Sequence, residues 1–110
     1  MSWTGDQGPG TVTASIDDTA GGTWLVTTET GSRYEIDLDH RTLRRHPGTG
    51  QLRRDGRVIT LHQIVECRVG TSAGFLICVE PNVVTLRLTS HVTHIEAFLS
   101  IPNNTPERSP

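Results

Sequence analysis

Residues 41–57 hold the densest chemistry in this chain. Arg41, Arg44, Arg45, Arg53, Arg54 and Arg57 stand there with His46 against a single acid, Asp55. The stretch is formally +5, so a chain whose total is −2 carries −7 elsewhere. A guanidinium is planar, permanently charged and forked, and it pairs bidentately with carboxylates and phosphates. A basic surface on an otherwise acidic chain can hold an anion or an acidic protein face without the whole molecule adhering to polyanions. Nucleic acid asks for something more, aromatic side chains on which unpaired bases stack. No aromatic residue falls between Tyr34 and Phe75. These six arginines are therefore expected to contact a protein partner, with a small nucleic-acid-binding barrel as the alternative. Beside both stands the plainest reading, a solvated arginine hairpin.

Metal and catalytic chemistry have the right atoms at the wrong spacing. His40, His46, His62, His91, His94, Cys67 and Cys78 include no Cys-x-x-Cys and no His-x-His pair. His91 and His94, three apart, fall on opposite faces of a regular strand and would meet only across a bulge at Thr93. Cys67 with His62 or His94 could form a nucleophile–base dyad, but Cys67 sits within the apolar alternation Val65, Cys67, Val69, where a buried structural thiol is expected. Glu35 and Asp37 alternate onto what reads as the wet face of a strand. No Gly-x-Ser-x-Gly, phosphate loop or spaced carboxylate pair is present. No catalytic residue, metal or cofactor is expected, and the chain reads as a non-enzymatic module.

The elements that position these residues are read from period-two alternation. In residues 23–29 and 33–38, Trp24, Val26, Tyr34, Ile36 and Leu38 alternate with polar residues, and Thr30-Gly31-Ser32 folds one run onto the other. The matched register opposes Trp24 to Leu38, Val26 to Ile36 and Glu29 to Arg33. A third strand is expected over 42–46. Asp55-Gly56 is the dipeptide of a two-residue type I′ turn, in which both central residues take φ > 0. The outgoing strand keeps Ile59, Leu61, Val65, Cys67 and Val69 on one side, with a bend or bulge near His62-Gln63. Val69 is expected opposite Phe75, Cys67 opposite Ile77 and Val65 opposite Val79, which leaves both thiols unbridged. A turn at Glu80-Pro81-Asn82 leads to Val84, Leu86 and Leu88, alternating with Thr85 and Arg87, and a last strand follows over 92–99.

No segment keeps a 3.6-residue period over three turns. The expected fold is all-β, an antiparallel meander of about seven to eight short strands, including a weak one over 11–16, forming a small barrel or a two-sheet sandwich. One β domain is expected over 11–100, between a flexible Gly-rich tail over 1–10 and a disordered Pro-rich tail over 101–110. With 34% hydrophobic residues in 110, the core is modest but sufficient. No apolar run is long enough to span a bilayer, and the first ten residues lack the basic and apolar regions of a signal peptide, so no membrane partner and a cytoplasmic location are expected. An unprotected edge over 91–99 makes a homodimer the expected self-association.

Overall fold

Alternating side chains build strands because they let a ribbon bury one face, and here six ribbons close on themselves. The structure, a computed structural model, describes residues 11–48 and 57–98. Its strands are β1 (Thr23–Thr28), β2 (Arg33–Asp37), β3 (Thr42–His46), β4 (Val58–Glu66), β5 (Ser72–Glu80) and β6 (Val83–Ala97). Each pairs antiparallel with the next, and β6 returns to β1 to complete a barrel. The all-β expectation holds, in its barrel form. Arg53, Arg54, the Asp55-Gly56 turn and both tails lie outside the described residues.

Two features lower the strand count. Residues 11–16 form isolated bridges, Val12 with Glu96 and Ser15 with Arg68, instead of a strand. They bond to residues 67–69 and 95–97, with the Ile16 N–H donating to the Cys67 carbonyl at 3.0 Å and Ile16 itself buried. In place of separate strands over 83–89 and 92–99 there is a single fifteen-residue strand, β6, which ends at Ala97.

Local chemistry sets the turns. The β1–β2 connection closes with Thr28 N–H donating to the Ser32 carbonyl at 2.9 Å, and Gly31 takes φ 92° inside it. The register then pairs Trp24 with Ile36, Val26 with Tyr34 and Thr27 with Arg33, two residues from the expected one. A shift of two leaves every side chain on its expected face, so the core prediction survives while the partners change. Between β2 and β3, the Asp37 carboxylate accepts the N–H groups of Asp39 and His40, both at 3.0 Å. Pro81 followed by Asn82 at φ 64° joins β5 to β6, the residue order of a type II turn.

The long strands are bent by bulges. In β4 the register shifts between Leu61 and Gln63 and again between Ile64 and Glu66. Each extra residue reverses the alternation, so Leu61, Ile64 and Cys67 all point inward. The bulge expected near His62-Gln63 is present, but its consequence overturns the expected face. Val65 and Val69 are exposed, and Phe75 opposes Ile64 in place of Val69. A shift opposite Thr27 and Thr28 likewise leaves Thr93 as the extra residue in β6, which explains why Val92 and Ile95, of opposite parity, are both buried. The core joins these residues to Trp24, Val26, Tyr34, Ile36, Leu43, Phe75 and Ile77, with the Tyr34 and Phe75 rings tilted at 6.0 Å between centroids.

Candidate interaction surface

The arginines with described positions have different surroundings. Arg41 has φ 58°, a left-handed conformation uncommon for a residue with a Cβ. Its carbonyl accepts the Leu61 N–H at 2.9 Å, and its Nη2 donates to Asp18 Oδ1 at 2.7 Å and to the His62 carbonyl at 3.0 Å. Asp18 Oδ1 also accepts the Ile64 N–H at 3.0 Å. The first β4 bulge takes peptide groups out of the ladder, and Arg41 with Asp18 supplies partners for two of them. Arg45 donates from Nη2 to Ser32 Oγ at 2.9 Å. Arg44 lies across from Glu35 and Val58, and its Nε and Nη1 are buried and meet no acceptor. Arg57, just before β4, is exposed.

The face expected to be wet is not. Glu35 and His46 are 7% and 2% exposed, and His46 Nε2 lies 3.2 Å from Glu35 Oε1. They occupy the outer side of β2 and β3 beside Leu25 of β1, which is also buried. Asp37 serves the β2–β3 turn and lies 2.9 Å from His40 Nδ1.

Cys67 and Cys78 are free thiols. Burial pushes the Cys67 thiol up to about 12, which leaves very little thiolate at neutral pH. Among the described residues, no three His, Cys, Asp or Glu side chains gather closely enough to hold a metal ion. The bulge at Thr93 does form, but it creates no such cluster with His91 and His94. Among the same residues, no helix is long and apolar enough to cross a membrane.

The opposite side of the barrel carries an apolar surface. Phe75 and Ile77 of β5 enter the core, and β6 pairs Arg87 and Thr85 with them. Pairing fixes the alternate residues outward: Leu88 opposite Gly74, Leu86 opposite Leu76, Val84 opposite Cys78. Val84, Leu86 and Leu88 are 47%, 51% and 66% exposed, and Val65, turned out by the second β4 bulge, is 55% exposed. Gly74 forms the floor between them. A Cβ there would stand 3.3 Å from Leu88 Cδ2 and 3.5 Å from Val65 Cβ, so these side chains lean over the gap that the glycine leaves. The regular apolar alternation of Val84, Leu86 and Leu88 thus lies outside the core.

This surface borders an open edge. Residues 92–97 of β6 pair with β1 on the side away from β5, which corrects the expectation of a free edge over 91–99. Among the described residues, no strand pairs with 83–90 on that side. The strand changes role at Thr89, whose buried Oγ1 accepts the Ala73 N–H at 3.0 Å and donates to the Ser90 carbonyl at 2.6 Å. The exposed apolar run was visible in the sequence as alternation. Its exposure was not, because that depends on which β5 face enters the core.

No family model matches this chain, and no curated protein or solved structure matches it.

Proposed function

We propose that this protein is a non-catalytic interaction module that binds another polypeptide through the outer face of β4, β5 and β6 and the adjoining β6 edge. One observation carries the reading: Val84, Leu86 and Leu88 project into solvent in a row, on a half-strand that has no paired strand on its second side among the described residues. Exposed apolar patches rimmed by polar residues mark association sites, and an unpaired edge is a template for a further strand. Thr60 and Gln63 supply polar rim positions, opposite Cys78 and Leu76.

The arginine stretch is secondary in this reading. Arg41 and Arg45 already bond within the barrel, and the exposed Arg57 widens the contact toward an acidic partner. Nucleic-acid binding is less well supported, because among the described aromatic residues Trp24, Tyr34 and Phe75 are buried and Phe98 alone is part-exposed, which provides no row of stacking faces.

Carbene footprinting tests the proposal. Leu86 and Leu88 should label strongly in dilute purified protein and weakly in extract of the cells that make it. Equal labelling in both samples would overturn it.

A further inference from the structure

We propose that the polypeptide bound at this surface is a second copy of the chain, docked by antiparallel pairing of the two β6 edges with Leu86 on the two-fold axis. The inference rests on the interaction reading above and names the partner.

A strand added beside 83–90 must continue the sheet on both faces. Its outward residues have to extend Val84, Leu86 and Leu88, and its inward residues have to suit Thr85 and Arg87. Two-fold pairing makes the same patch serve both sides, so the test is whether this segment complements itself when reversed. A two-fold through Leu86 sets Leu86 against its own copy, Val84 against Leu88, Thr85 against Arg87 and Val83 against Thr89. Every outward pair is then apolar. Arg87, the single charged residue of 83–90, meets a threonine hydroxyl.

Neighbouring registers are worse. A two-fold through Arg87 opposes two guanidinium groups, an unfavourable like-charge pair. A two-fold through Thr85 sets Leu88 against Asn82 and Arg87 against Val83. Odd registers oppose outward apolar residues to inward polar ones, Leu86 to Arg87 among them. A two-fold through Leu88 sets Leu86 against Ser90, and one through Val84 sets Leu86 against Asn82. Charge and pattern therefore favour the alignment centred on Leu86. The free N–H and C=O groups of both edges would be satisfied together, as in strand addition generally.

The size of the contact sets its strength. The paired segments contribute far fewer than the roughly 20–30 residues a side of a standard stable interface. The dimer is therefore weak and its population follows concentration.

Sedimentation velocity with charge-swapped variants tests the inference. Wild-type protein should shift from monomer to dimer as concentration rises. Leu86→Lys and Leu86→Glu should each remain monomeric at concentrations where wild type is dimeric, and an equal mixture of the two should recover the dimer, since only a two-fold at this position places lysine against glutamate. Leu86 is 51% exposed, so both variants should keep the wild-type far-ultraviolet spectrum and unfolding midpoint. A monomeric wild type, a dimer that survives either variant alone, or a folded mixture that fails to associate would each overturn the proposal. If wild type is monomeric yet Leu86 and Leu88 are shielded in extract, the second-copy assignment falls and the interaction reading stands. Equal labelling in both samples removes the interaction reading as well.

Discussion

The two halves of β6 belong to one strand and differ in what lies beside them. Residues 92–97 have β1 on their second side, and Val92, Ile95 and Ala97 are buried. Residues 83–90 have no second neighbour among the described strands, and Val84, Leu86 and Leu88 are exposed. Apolar content does not separate the halves. The exposed half has the more regular alternation. Alternation makes a strand with an apolar face, and the neighbouring strand's register decides whether the barrel covers that face. In this chain β5 directs Phe75 and Ile77 inward, so the apolar residues of the first half of β6 face away from the core and no described residue covers them.

The largest expected effect sharpens this contrast. Ile95→Ala deletes a fully buried side chain and should cost about 2–5 kcal/mol in denaturant unfolding, from lost transfer energy plus the cavity left behind. Leu88→Ala removes the same kind of group from the exposed half. In dilute protein it should change stability by no more than about 0.5 kcal/mol, the usual range for surface substitutions. Comparable losses at the two sites would mean that the halves are not different.

Next in size is the junction between them. Thr89→Val keeps the shape of the side chain but removes the oxygen that accepts the buried Ala73 N–H. Leaving that donor unmet should cost about 1–3 kcal/mol. Amide exchange at Ala73 should quicken at the same time, and an unchanged rate would show that Thr89 does not hold the crossover.

The last effect is absent at neutral pH and involves the two thiols, one on each face of the sheet. Cys67 is raised in the folded state to about 12 from an ordinary 9.0. The folded protein then holds a proton that the unfolded chain releases between those values. The contribution is complete below about 9 and declines as pH rises toward 12. Wild type should lose stability across that window more steeply than Cys67→Ala, and identical slopes would contradict the burial of this thiol. At neutral pH, Cys78, part-exposed opposite Val84, should alkylate well before Cys67.

Much of the barrel is legible in the sequence. Residues 42–46 form the expected strand, Pro81-Asn82 forms the expected turn, and Trp24, Val26, Tyr34 and Ile36 take the expected face. What was hidden follows from the arithmetic of alternation. A shift of two residues, as between β1 and β2, preserves every face and so leaves no trace in the pattern. A bulge inverts all that follows it, so recognising one at His62-Gln63 without carrying its consequence forward put Val65 inside and Ile64 outside. The spacing of three in Leu61, Ile64 and Cys67, and again in Val92 and Ile95, was the available signal for bulged strands.

The candidate surface was less legible for a related reason. Arginine positions are plain in the sequence, but their partners are not: Asp18, which receives Arg41, lies 23 residues away. The buried Glu35–His46 contact spans two strands and departs from the rule that carboxylates alternate into water. Such contacts belong to tertiary structure and carry no local pattern.

Residue-resolved amide hydrogen exchange across a concentration series tests the central claim most directly. Residues 92–97 should be protected at every concentration. Over 83–90, amides bonded to β5 should be slow throughout, while those directed away from β5 should exchange rapidly in dilute protein and slow as concentration rises. Uniform protection of 83–90 at the highest dilution would show that this edge is already covered within a single chain, and the account would be contradicted.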